Sequence, residues 1–262
     1  MLAVPRSDRT ASPPDERLLA GRRPVLELLR SGVPAERIFL AQGSAPSAIL
    51  TEIRKRAEAL SVSLRVVPRR ELDQLAPGSN HQGIVAITAR YRYAELDRLM
   101  EANRAALLFL DGVTDPHNLG SLLRSADGAG FDGVVVPARR SVGVTSAVRR
   151  VAAGAAEVVP VARVGNLGSA IDKAREAGLW IVGLDHHADE DLWTSNLFER
   201  PVGLVLGAED RGISAGVRSH CDALVSIPSS GKLGSLNVAV AGAIAMFEVA
   251  RRGVGSATLA DD

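Results

Sequence analysis

A chain of 262 residues that is 46% hydrophobic can bury one large core or two modest ones. Its single cysteine, Cys221, excludes an internal disulfide and fits a reducing compartment. No apolar run is long enough to span a membrane, and the polar start lacks a signal-peptide core, so the expectation is a cytoplasmic protein with no membrane partner.

The formal net charge of +1 conceals a split. Residues 1–105 carry 17 Lys/Arg against 12 Asp/Glu, whereas 106–262 carry 14 against 18. Phosphate neutralisation needs clustered basic side chains, so the first part is the better candidate for gripping a polyanion, although the net charge does not by itself point to one. An aromatic content of 3% leaves it few stacking platforms.

In chain order, the polar residues 1–16 predict a disordered tail. Apolar spacing predicts a helix over 18–29, strands over 38–40, 64–67 and 84–89, and helices over 48–60 and 70–75, a small α/β module within 17–90. The charged stretch 91–105 predicts a linker with a short helix. From 106 the rhythm becomes strand then helix. Strands are expected at 106–111, 133–137, 157–162, 179–184, 202–206 and 223–227, and helices at 119–129, 145–152, 166–177 and 235–251. A second tail is expected over 253–262. Near-continuous apolar strands predict a parallel sheet buried on both faces, with ligands beyond the carboxyl ends of its strands.

Three stretches follow such strand ends. The last runs from Ile227 through Pro228, Gly231 and Gly234 into a helix, with Ser235 as the expected N-cap. Leu236, Val240, Ile244 and Phe247 form one stripe on that helix, and Asn237 does not fit an apolar face. The other two are Gly207-Ala208-Glu209-Asp210-Arg211-Gly212 and Asn118-Leu119-Gly120-Ser121-Leu122-Leu123-Arg124. Other patterns carry less. Gly128–Gly133 matches G-x-G-x-x-G, but it follows a helix and precedes a strand, the reverse of a dinucleotide fingerprint. Gly231-Lys232 lacks the rest of a phosphate loop. Asp185-His186-His187 has no second histidine cluster to complete a metal site, and Cys221 reads as a buried small residue.

The three motifs, in this order, resemble the SpoU/TrmH family of RNA ribose 2′-O-methyltransferases, of the SPOUT class. Gly21-Arg22-Arg23-Pro24-Val25 with His81-Gln82-Gly83 is similar to the substrate-binding domain of the RlmB group in that family. The resemblance implies an α/β fold: a small L30e-like domain at 17–90, a linker at 91–105, and a SPOUT domain at 106–252, a parallel sheet with a trefoil knot. It implies S-adenosylmethionine as cofactor, held by Leu206, Gly207, Gly212, Ile227 and Leu236. Arg124, Asn118, Glu209, Ser235 and Asn237 match the family's catalytic positions. A guanidinium stays protonated, so Arg124 is expected to bind phosphate and stabilise a developing alkoxide rather than to act as base. His117 is a candidate proton acceptor, imidazole being the side chain that titrates near neutrality. Arg22, Arg23 and His81 would contact RNA, no metal is implied, and the family pairs as a homodimer through the knotted domain. The expected activity is methylation of a guanosine in 23S rRNA, in the peptidyl-transferase region. A tRNA ribose methyltransferase, an antibiotic-resistance rRNA methyltransferase and a non-catalytic ribosome assembly factor are the alternatives.

Overall fold

A computed structural model describes residues 17–30, 33–101, 105–199, 201–231 and 236–257. The tail expected over 1–16, residues 258–262 of the second expected tail, and Ser235, expected both as N-cap and at a catalytic position, lie outside the described residues. Two units emerge, one of residues up to 29 with 34–89, the other of 30–33 with 90–262.

The first unit is a four-stranded sheet with helices. Its elements are β1 (Leu18–Ala20), α1 (Arg22–Arg30), β2 (Ala35–Ala41), α2 (Ala48–Ala59), β3 (Ser63–Val67), α3 (Arg69–Leu75) and β4 (Ile84–Thr88). The order is β1-β4-β2-β3, with β2 and β3 parallel and the other pairs antiparallel. The helix predicted over 18–29 is instead a strand followed by a helix. Gly21, at φ 103°, makes the break, because that left-handed backbone ends the strand at no steric cost. Pro24 then falls in the first turn of α1, where its missing N–H costs nothing.

The second unit opens with 90–101, the stretch expected to be a linker. It is packed onto the sheet. The Ala94 amide donates to the Val161 carbonyl at 2.8 Å, and the hydroxyls of Tyr91 and Tyr93 accept from the amides of Val161 and Val144 at 3.2 and 2.9 Å. Burial pushes the Tyr91 hydroxyl pKa up to about 12. The short helix α4 (Leu96–Leu99) lays buried Leu99 against Gly133, where an added Cβ would meet the leucine methyls at 2.8 Å.

Then come β5 (Ala106–Asp111), α5 (Pro116–Gly128), β6 (Gly133–Pro137), α6 (Ser146–Ala152), α7 (Ala155–Val158), β7 (Val161–Val164), α8 (Leu167–Glu176), β8 (Trp180–Leu184), β9 (Val202–Gly207), α9 (Ala215–Arg218), β10 (Ala223–Val225) and α10 (Val238–Ala257). The six strands are all parallel in the order β10-β8-β9-β5-β6-β7. Both faces are covered, as continuous apolar strands require. Leu108 and Leu110 of β5 face one core with Leu122 of α5 and Met246 of α10, while Leu107 and Phe109 face the other with Ile171 of α8. Each such buried side chain contributes about 1.5–3 kcal/mol.

Several boundaries differ from expectation: α5 begins at Pro116 rather than 119 and β10 ends at Val225 rather than 227. The strand expected over 157–162 begins later, at Val161. Ala153 and Gly154 both take left-handed backbone, which ends α6 and starts the short helix α7 inside the apolar run. The last helix starts at Val238 and continues to Ala257, through the first part of the expected tail.

Candidate active site

Because the sheet is wholly parallel, its strand ends converge on one edge, and the predicted motifs gather there. Asp115 caps α5 by accepting from the His117 amide at 2.8 Å, with Pro116 in the first turn. This sets Asn118 at the helix start, buried beside the end of β5. Beyond β9, Gly207 and Gly212 close a tight turn in which Ala208 and Gly212 exchange backbone bonds of 3.1 and 2.8 Å. A Cβ on Gly207 would overlap the Gly212 backbone. That glycine therefore serves an approach of chain to chain, rather than of chain to flat ligand. The turn presents Glu209 outward.

Asn237 caps α10: its Oδ1 accepts from the amides of Ala239 and Val240 at 2.9 and 3.3 Å. Its Nδ2 donates to Glu209 Oε1 at 3.0 Å and Asn118 Oδ1 at 3.1 Å. Asn118 Nδ2 donates to the same Glu209 oxygen. Three residues from three motifs thus form one closed polar cluster. The Glu209 carboxylate aligns both amides, and Asn237 is both helix cap and cluster member.

Arg124 does not join it. This exposed side chain lies six residues beyond Asn118 on α5, a rise of about 9 Å. His117 is also exposed, with Nδ1 3.3 Å from Asp115.

Next to the cluster lies a cavity of about 580 Å³. Leu184, Leu206, Ile227, Leu236 and Ala241 line it together with Gly207 and Gly212, and Asp185, Glu209, Asp210, Arg211 and Arg218 give it polar groups. The five residues expected to hold cofactor all line it. Asp185, His186, His187 and Arg218 were not expected there. Arg218 Nη1 holds Asp185 at 2.6 Å, and the two imidazoles stack at 3.8 Å between centroids. Their place directly after β8 is the sequence signal that could have found them. The size is ordinary for a small-molecule site. The apolar residues suit a flat adenine, and the carboxylates suit a sulfonium or ammonium. The residues present therefore fit S-adenosylmethionine.

In the first unit, Arg22 and Arg23 line a cavity of about 430 Å³ with Gly21, Asn80 and Gln82. Arg22 Nε donates to the Gln82 carbonyl at 3.2 Å and Nη1 to Ser47 Oγ at 3.3 Å. His81, expected to touch RNA, is 3% exposed. Its ring meets Asp73 at 2.8 Å and accepts from the Gly83 amide at 3.0 Å, so it shapes the loop from inside. Cys221 is half-buried, and burial pushes its thiol up to about 11, too high for a nucleophile near neutral pH.

The family described as SpoU rRNA Methylase matches residues 105–247, and the family described as RNA 2′-O ribose methyltransferase substrate binding matches 18–94. A putative TrmH family tRNA/rRNA methyltransferase, YacO of Bacillus subtilis, is 39% identical over 88% of this chain and 94% of its own length. The 23S rRNA (guanosine-2′-O-)-methyltransferase RlmB of Shewanella oneidensis is 46% identical over 78% of this chain and 84% of its own. Among solved structures, the SpoU methyltransferase AviRb of Streptomyces viridochromogenes, in complex with AdoMet, superposes with a TM-score of 0.70 at 27% identity over 90% of each chain.

Proposed function

The chain belongs to the SpoU rRNA methylase family, as an S-adenosylmethionine-dependent RNA methyltransferase, and from that premise we propose that it methylates the 2′-hydroxyl of one guanosine in the peptidyl-transferase region of 23S rRNA. The observation that carries this reading is the Asn118–Glu209–Asn237 cluster beside the 580 Å³ cavity. The 46% identity to the relative named for that reaction supports the choice of base and RNA.

When bound, S-adenosylmethionine supplies a methyl group on an electron-poor sulfonium. The chain's own residues supply the rest. Leu206, Ile227 and Leu236 keep water from that side of the cavity. Glu209 fixes Asn118 and Asn237 so that a ribose entering beside them meets oriented amides, and such alignment lowers much of a bimolecular barrier. Arg124 binds the phosphate next to the target and stabilises negative charge developing on the hydroxyl oxygen.

We further propose a homodimer. On α10, Val240 and Phe247 are 49% and 52% exposed, with Ile244 half-buried between them. A second copy is the occupant a self-complementary apolar stripe suits. Gly128, one turn beyond Arg124, packs under Phe247, so that pairing sets Arg124 at the seam. A trefoil knot accords with the bonds between Ser226, past β10, and Glu190 and Leu192, and with those from Arg252 to the carbonyls of Trp193 and Ser195. Among the described residues no helix is long and apolar enough to cross a membrane; the cytoplasm is our proposed location.

Mapping ribose 2′-O-methyl sites in rRNA from a deletion strain tests the activity. One lost guanosine site in 23S rRNA is expected, and no lost site in any RNA would sink it. Sedimentation of Phe247→Asp tests the pairing: the wild type should run as a dimer and the variant as a monomer.

A further inference from the structure

Resting on the methyltransferase reading, we propose that the RNA sugar–phosphate backbone crosses the carboxyl edge of the sheet on Arg139, Arg140 and Arg211, which hold the phosphates beside the target ribose.

After β6 the chain turns through 138–144, a loop braced from several sides. The Ala138 amide donates to the Val164 carbonyl at 2.8 Å, and its own carbonyl accepts from Arg163 Nη2 at 3.1 Å. The Arg163 guanidinium lies over the Tyr93 ring, 5.5 Å from its centroid, and the Tyr93 hydroxyl accepts from the Val144 amide. The Val142 amide and the Ser141 hydroxyl both donate to the Val113 carbonyl, at 2.9 and 3.2 Å. Arg140 sits at φ 60°, a left-handed backbone that a non-glycine residue keeps only where its surroundings impose it. The loop is therefore a fixed platform for two exposed guanidiniums.

The third guanidinium reaches the same edge from the turn after β9. A Cβ on Gly112 would stand 2.6 Å from Arg211 Nη2, so the Arg211 side chain lies across the end of β5 and uses the space glycine leaves. Gly112 is joined to Val113, the acceptor that anchors the Arg139–Arg140 loop. The row runs from the end of β9 over β5 to β6, past a small cavity of about 170 Å³ that includes Gly112, Val113, Asn118 and Glu209.

The charges point to a polyanion. Among the described residues none of the three arginines has a carboxylate partner. Other arginines of this unit do have carboxylate partners, among them Arg175 with Asp172, Arg218 with Asp185 and Arg251 with Glu248. The carboxylates near the row are largely engaged. Glu209 accepts from the two asparagines, Asp115 from the His117 amide, and Asp111 from the Ser214 amide at 2.7 Å; Asp210 is exposed. An unpaired guanidinium binds phosphate in a bidentate fork. The row itself holds no aromatic side chain on which a base could stack, so its contacts are to backbone and position the strand without reading sequence.

The test uses the full chain and a fluorescein-labelled single-stranded RNA oligonucleotide, titrated at several salt concentrations. Arg139→Ala/Arg140→Ala should weaken binding about tenfold and lower the salt slope by about 1.4, and Arg211→Ala should lower it by about 0.7, one single-strand phosphate contact each. The matching lysine variants should keep the slope and lose transfer rate, because the charge stays and the fork goes. Cofactor affinity by calorimetry should be unchanged in the Arg139/Arg140 variants, whose side chains lie outside the lining of the cofactor cavity. Alanine variants with wild-type affinity and slope overturn the proposal. So does a lost slope that lysine does not restore, or one accompanied by a lower melting temperature, since either marks a folding role. Failure of the underlying reading looks different. Wild-type protein that binds the oligonucleotide with these slopes, yet transfers no methyl group to rRNA from the deletion strain, leaves the arginine row standing and removes the methyltransferase assignment.

Discussion

Two cavities carry arginines, one in each unit, and they differ in what those arginines have left to give. In the first unit Arg22 already donates to Gln82 and Ser47. In the second, Arg211 has no carboxylate partner among the described residues and lies over Gly112. Charge sums point the opposite way, with 17 Lys/Arg against 12 Asp/Glu through residue 105 and 14 against 18 after it. Phosphate binding depends on donors that remain after the fold has met its own needs, and a sum over a region cannot count those. In the cavity of the first unit one arginine is already spent on the fold; the second unit is acidic overall, yet Arg211 at the edge of its cavity has no carboxylate partner among the described residues.

The largest expected effect separates chemistry from grip. Glu209→Gln keeps one acceptor oxygen but loses the charge that holds both asparagine amides. Single-turnover methyl transfer should fall by about 10²–10³-fold, the scale for losing one preorganised polar group in an active site. RNA affinity and its salt slope should stay within about twofold, because no phosphate contact is removed. A variant that loses grip along with rate would merge the two functions and break the comparison.

Truncation comes next. Removing residues 1–89 should leave cofactor affinity intact, weaken RNA binding about tenfold and lower the salt slope only by about the 0.7 that Arg23 contributes, since Arg139, Arg140 and Arg211 remain. Cutting at 104 is a different experiment. It strips Tyr91, Tyr93 and Leu99 from the second unit, and loss of buried Leu99 alone costs about 2–5 kcal/mol. The longer truncation should therefore melt well below the shorter one. Equal melting temperatures would mean that 90–101 is the linker its charges suggest.

That stretch shows where the sequence is legible and where it is not. Strands β5, β6, β8 and β9 stand out because each is an apolar run that needs no partner to be recognised. The 90–101 segment hides its anchors among charges, since a tyrosine hydroxyl seeking a backbone amide leaves no periodic trace. The strand and helix within 18–29 fuse in a periodicity reading because one glycine separates them. Asn118, Glu209 and Asn237 are far apart in the chain, and only their motifs mark them; that they share bonds is a fact of topology. His81 stands in a motif whose resemblance implies RNA contact, yet it is buried. Arg139, Arg140 and Arg211 lie in a net-acidic half, where composition draws no attention to them.

Arg252 is the paired counterpart within the second unit. It is 13% exposed, bonds Glu248 at 2.6 Å and the Trp193 carbonyl at 2.6 Å, and so ties α10 to the segment before β9. Hydrogen bonds from Arg251 and then Arg252 hold the Glu248 carboxyl below its ordinary range. A folded pKa below the unfolded one adds stability that is present above the unfolded value, about 4.3, and is lost as pH falls through the folded value. Glu248→Gln should therefore cost about 2 kcal/mol at neutral pH, as for charged hydrogen bonds through Arg252. The gap between variant and wild type should close in acid. Urea unfolding at neutral pH and at a series of pH values below about 4 measures it, and a gap that stays constant with pH would refute the assignment.

The smallest effect tests the comparison most directly, by splitting two adjacent arginines. Arg22 is engaged by Gln82 and Ser47, while Arg23 is exposed. Arg22→Ala should cost about 1 kcal/mol of stability, because the Gln82 carbonyl and the Ser47 hydroxyl lose a charged donor, and should leave the salt slope of RNA binding almost unchanged. Arg23→Ala should do the reverse, lowering the slope by about 0.7 with stability intact. The double variant should show both changes and bind RNA only about threefold more weakly, less than the loss expected from Arg139→Ala/Arg140→Ala. Denaturant unfolding and salt titrations on the same preparations separate the terms. If Arg22→Ala lowered the slope as much as Arg211→Ala, a guanidinium bonded within the fold would still be reaching phosphate, and counting unpaired donors would not tell the two cavities apart.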